Sequence, residues 1–406
     1  MKTCTRCIYD ERIPDISFDE NGVCNYCRQF EQLEKEYPTG DGGRYKLEEL
    51  ATKIKDTGGD KYDVIVGVSG GCDSSYLLHL AKEELGLRPL AVHFDNTWDS
   101  KIAVENIQRV TKRLGIDLYT HVVDNIEYND IFKSFFKASV PDIDTPADIG
   151  LATTHYLAAR KFGIKYIFEG HSFRTEGISP PGWFYMDAKY IESVYRQFGK
   201  GDFKTFPNLW LARWLKWTIF DKIKKIRPLY HISYDKEAVK KFLSENYGWQ
   251  WYSGHHMENR TAYFTNNYYL PRKFGIDLRY CEYSALVRSG QMTRQEALAK
   301  IREPKPFDQG ILEEIKKRLS FDAAEFEKIM AAPRKSFLDY KTYKPFFEKC
   351  KWLFKTMSAV DLVPKSFYLK YTKKYSVDDL KFLCEPAIPA IDSSKAEDSR
   401  QLEVVA

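Results

Sequence analysis

Residues Ser69 to Ser75 read SGGCDSS and place three hydroxyls, one carboxylate and two glycines within a few bonds of one another. These are groups that hold a phosphate. Gly70 and Gly71 let backbone N–H groups converge with no side chain in the way, and Ser69, Ser74 and Ser75 donate hydroxyls beside them. Asp73 can orient the turn or hold magnesium indirectly. The stretch has no G-x-x-x-x-G-K-[ST], so it is not a Walker loop, and it has no G-x-G-x-x-G, so the dinucleotide fingerprint fails. A second group is formed by Cys4, Cys7, Cys24 and Cys27, two CxxC pairs sixteen residues apart. That spacing is the one used by four-thiolate zinc sites. Asn21-Gly22 supplies a turn just before the second pair. Four thiolates leave no open position for water, so the expected Zn2+ is structural. A redox role for either CxxC is the weaker reading of a doubled motif.

The elements around these groups can be read from apolar periodicity. Val64–Val68 is a continuous apolar run and predicts a buried strand leading into the glycine turn. Ser74–Leu85 predicts a helix with Leu77, Leu78, Ala81 and Leu85 on one face, stopped by Gly86. The N-terminus of that helix adds partial positive charge to the loop. Further strand-like runs are Pro89–Phe94, Leu118–Val123 and Tyr166–Glu169, with helical stretches such as Lys101–Leu114 between them. This alternation predicts an α/β fold with a parallel sheet covered on both faces. Ligands of such sheets bind at the carboxyl ends of the strands, which puts Ser69, Asp95 and Gly170 close together.

The predicted organisation is a Cys4 zinc module over residues 1–36, a glycine-containing linker at 37–43, an α/β unit over 44–235 and a mainly helical region over 236–385. The α/β unit carries an aromatic insertion at 180–230. The polar stretch 386–406 predicts disorder. Asp235 is an N-cap candidate for a helix that stops at Gly248. Trp210, Trp214 and Trp217 recur at helical spacing, and a buried amphipathic helix or partner interface is favoured over a membrane-surface helix.

Bulk composition is that of an ordinary soluble globular protein. The 406 residues are 43% hydrophobic and 29% charged, enough for a core and more than one domain. A net charge of +5 is small for this length and gives no nucleic-acid footprint. No secretory leader opens the chain and no run of about 18 apolar residues suggests a membrane span, so the expected compartment is the cytoplasm. The 27 Tyr, 26 Phe and 8 Trp suggest a bulky aromatic core before they suggest a sugar or base platform.

The SGGxDSS stretch resembles the PP-loop of the ATP pyrophosphatases. The resemblance implies an adenine nucleotide alpha hydrolase-like, Rossmann-like domain whose loop cradles the pyrophosphate released when ATP is cut at its alpha phosphorus. It implies ATP and Mg2+ as cofactors and adenylation of a substrate oxygen. A leaving diphosphate can be held by amides and hydroxyls, so the missing lysine is understandable. Cys72 stands at the variable position of the loop and has no assigned role. In such enzymes the end of the next strand holds adenine and ribose, which makes His93 and Asp95 candidates. FEGHSFRTEG, residues 168–177, resembles the second ATP-side motif, with Gly170, His171, Arg174 for phosphate and Glu176 for substrate or magnesium.

A narrower resemblance rests on the order of the paired CxxC motifs, GVSGGCDSS, RPLAVHFDNTWDS, FFKASVPDIDTP, RPLYHISYDKEAV, GWQWYSGHHMENRTAYF, YYLPRKFGID and SALVRSGQMTRQEAL. Together they resemble the N-acetyl sugar amidotransferases of the WbpG type, from bacterial surface-polysaccharide (lipopolysaccharide O-antigen) biosynthesis, over most of residues 1–300. The family resemblance implies conversion of an acetamido group on a nucleotide-linked sugar into an acetamidino group, with Asp73, Ser74, His171 and Glu176 as catalytic candidates. In GHHMENR, residues 254–260, a plain polar loop or an anion contact is favoured over a second metal, and His256, Arg260 and Arg272 are candidates for the sugar nucleotide. The stretches LRYCEYS and GHSFRTEG depart from close relatives and bear on which sugar is used. The chain has no G-x-C-x-G glutaminase elbow. The resemblance therefore implies a separate glutaminase and an ammonia-channel protein, like the two halves of imidazole glycerol phosphate synthase. A tRNA-modifying PP-loop enzyme, a thiolase or lysidine-type ligase, shares the adenylation step but calls for a stronger basic footprint. A nucleotide-sensing protein on the same fold is disfavoured by the complete loop.

Overall fold

Apolar runs become strands where predicted. In the computed structural model, which describes residues 2–252, 257–360, 362–363, 365–375 and 380, five parallel strands form one sheet in the order β3-β2-β1-β4-β5. They are β1 (Val64–Gly67), β2 (Pro89–Asp95), β3 (Leu118–Val122), β4 (Tyr166–Phe168) and β5 (Lys224–Ile226). Val64 pairs with Pro89 on one side and with Tyr166 on the other. The near-continuous burial of β1, β2 and β4 is that of strands covered on both faces. The chain runs outward from β1 through β2 to β3, then returns to lay β4 against the free side of β1. The strand order therefore reverses between β1 and β4, and a crevice at their carboxyl ends is the expected ligand site.

The helices that cover this sheet begin and end on local signals. Helices α1 (Asn25–Glu36) and α2 (Gly40–Asp56) precede β1, and α3 (Cys72–His79) follows it. α3 starts two residues before the predicted helix and widens into a π turn over Leu80–Glu84 before Gly86, at φ +60°. In α4 (Lys101–Leu114) Ser100 accepts from the Ala103 N–H, and Gly115 ends the helix in the left-handed region. α5 (Asn125–Ala138) and α6 (Thr145–Lys161) make the crossover from β3 to β4, and α7 (Ala188–Phe198) follows. After α8 (Leu211–Leu215) and β5 comes α9 (Lys236–Tyr247), capped by Asp235 and closed by Gly248 at φ 66°.

β5 falls within the stretch 180–230 that reads as an aromatic insertion. Only three residues long and opening on two lysines, it has no apolar run to show. Short, charged strands are what sheet edges use. The tryptophans at helical spacing are packing residues: Trp217 stacks on Tyr156 at 5.5 Å and Trp214 on Phe367 at 4.8 Å.

The aromatic excess goes chiefly into one core that includes Tyr128, Phe132, Phe136, Tyr190, Phe264 and Phe326. It joins α5 and α7 to the later helices α10 (Arg260–Phe264), α11 (Arg279–Arg288), α13 (Gln309–Arg318) and α14 (Ala323–Ala331), while α12 (Arg294–Lys300) packs on α11. α10 continues as a π segment over Thr265–Phe274. No helix among the described residues is long and apolar enough to cross a membrane. The predicted tail 386–406 and the last part of the predicted 236–385 region lie outside the described residues.

Candidate active site and metal centre

The loop between β1 and α3 is fixed before any ligand arrives. Gly70 has φ +78°, and a Cβ there would stand 2.2 Å from the Ala103 carbonyl oxygen, so glycine is required twice over. The Gly70 carbonyl accepts from Trp249 Nε1 at 2.9 Å and from Asn106 Nδ2 at 3.3 Å. The Gly71 N–H turns toward Ser69 Oγ at 3.3 Å, and the Ser69 and Ser74 hydroxyls are 3.4 Å apart. Ser75 is buried, and its N–H closes the first helical turn onto the Gly71 carbonyl at 3.1 Å. Gly71 is the N-cap and makes no side-chain cap hydrogen bond. The first N–H groups of α3 are the unsatisfied donors that bind anions at helix N-termini.

Asp73 is where the elements converge. Its Oδ1 accepts from the Tyr234 hydroxyl, and Lys236 Nζ lies 3.0 Å from Oδ2. Glu176 is hydrogen-bonded to it as well. Burial alone would raise the Asp73 pKa, but Lys236, Tyr234 and Glu176 outweigh that and hold it below the ordinary carboxylate range. The reverse balance holds Lys236 above its ordinary value: burial lowers it, and Asp73 and Glu176 pull it up further. Gly170 packs against the same turn, since a Cβ there would sit 3.4 Å from Asp73 C and Ser74 N. His171 contacts the Tyr230 hydroxyl through Nδ1 at 3.0 Å, and its Nε2 lies 3.6 Å from Glu176. The structure therefore brings Ser69, Gly70, Gly71, Asp73, Ser74, Gly170, His171 and Glu176 to the β1–β4 crevice. It also supplies the lysine that the loop lacks, from the first residue of α9.

The floor of this crevice is an ion cluster that sequence reasoning missed. Glu169 receives Lys225 Nζ at 2.6 Å and Arg227 Nε at 3.2 Å. Burial would raise the Glu169 carboxyl, but Lys225 and Arg227 hold it down at about 2. Because the folded value lies below the ordinary 4.5, the stabilisation is complete above pH 4.5 and is lost as pH falls through 4.5 toward about 2. The shift corresponds to about 3 kcal/mol at ~1.4 kcal/mol per unit. Urea denaturation at stepped pH should show Glu169→Gln losing about 3 kcal/mol less than wild type over that acid limb, from a neutral-pH stability already lower by about 3–5 kcal/mol.

Several predicted site residues have other work. Arg174 is buried and does not face the loop: Nη1 donates to the Tyr230 carbonyl at 2.7 Å and Nη2 to the Tyr37 carbonyl at 2.9 Å. Its guanidinium ties the β4 loop to the end of α1 and is not a free phosphate contact. His93 is only 6% exposed, with Nδ1 3.0 Å from the Val68 carbonyl oxygen, so its ring offers no face to adenine. Burial lowers its pKa, but Asp99, the Val68 carbonyl and Asp95 together hold it above the ordinary histidine value. Asp95 Oδ1 accepts from the Thr97 N–H at 2.7 Å. Arg260 pairs with Glu314, and Arg272 stacks over Tyr268 at 4.3 Å at the far end of the same helical segment, so the two are not a joint phosphate clamp. His256 lies outside the described residues.

Tyr234 and Lys236 carried no spacing signal, because more than 150 residues separate them from Asp73 (separations of 161 and 163). Lys225 and Arg227 did carry one. They stand at i and i+2, which puts them on one face of an extended chain.

The four predicted thiolates form a second centre. Cys4, Cys7, Cys24 and Cys27 are all buried, with Sγ–Sγ distances of 3.8 Å for Cys4–Cys27, 3.8 Å for Cys7–Cys24 and 3.7 Å for Cys24–Cys27. A tetrahedral metal with thiolate bonds of about 2.3 Å places its sulfurs about 3.8 Å apart, so the set fits a four-thiolate ion. Backbone N–H groups of Cys24 and Arg6 point at Cys4 Sγ at 3.3 and 3.4 Å. Arg288 of α11 reaches Cys7 Sγ at 3.2 Å and Cys27 Sγ at 3.4 Å and offsets the surplus negative charge. Arg294 of α12 donates to the Cys4 and Cys7 carbonyls at 2.9 and 3.0 Å. Tyr9 reaches the Ile178 carbonyl at 3.1 Å. The cysteine module is thus keyed both to the helical region and to the segment after the β4 loop.

Comparison with known proteins matches the two halves of this arrangement separately. Residues 61–172 match the asparagine synthase family, and residues 258–356 match the family described as LPS biosynthesis protein WbpG-like, C-terminal domain. An uncharacterized protein of Methanocaldococcus jannaschii is 25% identical over 330 residues, 78% of this chain and 98% of that protein. The NH(3)-dependent NAD(+) synthetase of Methanococcoides burtonii is 30% identical over 96 residues, 23% of this chain and 34% of that one. Among solved structures, the NH3-dependent NAD synthetase of Campylobacter jejuni covers 66% of this chain and 98% of its own, at 16% identity and a TM-score of 0.32. The chain thus joins a lysine-free phosphate loop, on a segment that matches the asparagine synthase family, to a segment that matches the WbpG-like C-terminal domain, and the pair of matches supports a WbpG-type PP-loop protein.

Proposed function

We propose that the chain uses ATP to turn the acetamido group of a nucleotide-linked N-acetyl sugar into an acetamidino group. The observation that carries this reading is the convergence of the SGG loop, Asp73, Lys236 and the β4 loop in the β1–β4 crevice of a chain with a WbpG-like C-terminal domain. The amide oxygen attacks the alpha phosphorus, a new O–P bond forms, and the bond to pyrophosphate breaks. Ammonia then attacks the imidate carbon, the C–O bond breaks, and AMP leaves. One amide, one ammonia and one ATP give one amidine, AMP and pyrophosphate.

The loop amides and the Ser69 and Ser74 hydroxyls bind the diphosphate as it gathers charge. Asp73 and Glu176 are two adjacent carboxylates, a donor set that fits Mg2+ shared with substrate phosphates. When bound, that ion neutralises phosphate charge. Lys236 supplies a cation beside the same carboxylates, and His171, hydrogen-bonded to Tyr230 and near Glu176, stands ready to take the proton that ammonia sheds. Arg260, at the start of α10 and paired with Glu314, would exchange that partner for the sugar nucleotide's diphosphate. Cys4, Cys7, Cys24 and Cys27 hold a structural Zn2+. In this reading the protein works in the cytoplasm, takes ammonia from a partner glutaminase through an ammonia-channel protein, and needs no nucleic acid.

The test supplies ATP, magnesium, ammonium and a panel of acetamido sugar nucleotides to the purified chain. Mass spectrometry should find a product lighter by about one dalton, oxygen replaced by NH, with stoichiometric AMP and pyrophosphate. ADP and orthophosphate in place of AMP and pyrophosphate would sink the proposal.

A further inference from the structure

Helices α15 (Lys344–Lys349), α16 (Lys351–Ala359) and α17 (Lys365–Tyr371) share a small core of Phe347, Phe354, Met357 and Val363. Trp214 of α8, stacked on Phe367 at 4.8 Å, ties this core to the segment before β5. α16 has three sides. Phe354 and Met357 face the core. Lys351 and Lys355, four residues apart, form an exposed basic stripe. The third side runs from Trp352 and Leu353 through Thr356 to Val360, at helical spacing. Trp352 is 71% exposed, Leu353 37% and Val360 60%. Phe346 on α15 is 43% exposed, with its ring 6.3 Å from that of Phe354. A surface helix needs one apolar stripe to hold it to its protein. α16 carries two, and only one is covered.

Charge is the second observation. Residues 341–375 hold nine lysines, two acids and no arginine, a net +7 in a chain whose total is +5. One of the acids, Glu348, is already paired with the buried Lys344 at 3.0 Å. The rest of the chain is therefore slightly negative, and the positive field is concentrated where Trp352 is exposed.

We infer that this face docks onto an anionic lipid surface. Exposed aromatic and aliphatic side chains flanked by lysines seat themselves at the boundary of headgroups and acyl chains, while the ammonium groups meet lipid phosphate. A protein partner fits less well, because interface cores deplete lysine and enrich arginine, and this module has no arginine. Nucleic acid fits less well for a related reason: its recognition leans on arginine forks and on rings that stack, and Leu353 and Val360 offer neither. Attachment is peripheral, because no described helix is long and apolar enough to cross a bilayer. A few side chains and a few charges give weak, reversible, salt-sensitive binding.

The test is cosedimentation of the full-length chain with sucrose-loaded vesicles, either of phosphatidylcholine alone or with about one-third phosphatidylglycerol. Affinity for the anionic vesicles should be at least about tenfold higher than for the neutral ones and should fall as salt rises. Reversing both charges, Lys351→Glu with Lys355→Glu, should weaken it at least about tenfold, and Trp352→Ala at least about fivefold. Ile126→Ala, which removes an exposed apolar side chain of α5, should bind like wild type. Circular dichroism checks the fold of each variant. If Trp352→Ala does not fold, the lysine pair and the comparison of vesicles decide. No binding to anionic vesicles, equal binding to both kinds, or binding that the lysine and tryptophan variants keep would overturn the inference. So would retention of a single-stranded RNA through Lys351 and Lys355 in place of vesicles, or crosslinks that tie these lysines to a second copy or to residues 376–406.

Discussion

Asp73→Asn should lower pyrophosphate release by about 10²–10³-fold while the protein stays folded and still binds ATP. The carboxylate accepts from Tyr234, pairs with Lys236 and touches Glu176. An amide of the same shape keeps one acceptor and turns an NH2 group toward either the Tyr234 hydroxyl or the Lys236 ammonium. Toward Lys236 the NH2 meets another donor; toward Tyr234 it forces the hydroxyl to turn from donating to accepting; in either orientation the Lys236 charge loses its carboxylate partner. The second carboxylate of the proposed magnesium pair is lost at the same time. In the proposed reaction these groups meet the departing diphosphate, so turnover should suffer more than ground-state binding. Pyrophosphate and AMP release are measured with the acceptor identified from the sugar-nucleotide panel, and ATP affinity by equilibrium titration. Lys236→Met should resemble Asp73→Asn in turnover if the two act as one unit. An Asp73→Asn enzyme within tenfold of wild type would move the chemistry away from this loop.

The contrast between Asp73 and Lys236 shows what the sequence alone could reveal. The loop was legible because its function needs contiguous residues: glycine for the φ +78° turn at Gly70 and hydroxyls next to it. β1, β2 and β4 were legible because burial on both faces demands apolar runs, and the more exposed β3 was legible as a strand-like run of its own. β5 was not, because Lys225 in its centre answers the Glu169 carboxylate just past the neighbouring strand, and that need is visible only once the two are side by side. Arg174 misled for a related reason. A guanidinium in a loop beside a phosphate motif reads as a phosphate ligand, yet two backbone carbonyls that end other elements needed its donors first. His93 was placed correctly at a strand end, but side-chain direction alternates along a strand, and packing put this ring under the loop and out of the nucleotide's reach.

Removing one cysteine ligand should produce the largest loss of stability in the chain. Cys24→Ser is expected to take the metal content from about one zinc per chain to none and to lower the unfolding free energy by at least about 4 kcal/mol, the range reserved for lost metals and comparable defects. The four sulfurs are buried in the same core as Tyr9, Ile13 and Tyr26, with one charged side chain, Arg288, turned onto them. Without an ion, three thiols and a serine would face the Arg288 guanidinium, which now lies 3.2 Å from Cys7 Sγ and 3.4 Å from Cys27 Sγ. That leaves a buried cation uncompensated. The loss should spread beyond the first 36 residues, since Arg294 holds the Cys4 and Cys7 carbonyls and Tyr9 holds the Ile178 carbonyl beyond the β4 loop. Catalysis should therefore fall with stability even though no cysteine of the centre touches the crevice. Cys72→Ser is the control for metal count: Cys72 is buried and its thiol is pushed up to about 12 by burial first and by Asp73 next, so it is not expected to be a competing ligand. Elemental mass spectrometry measures the zinc, and thermal denaturation with limited proteolysis follows the module. If Cys24→Ser keeps full zinc, or if the wild-type chain carries none and non-reducing mass spectrometry finds the CxxC pairs oxidised, the centre is a thiol redox site and the predicted loss of stability should not occur.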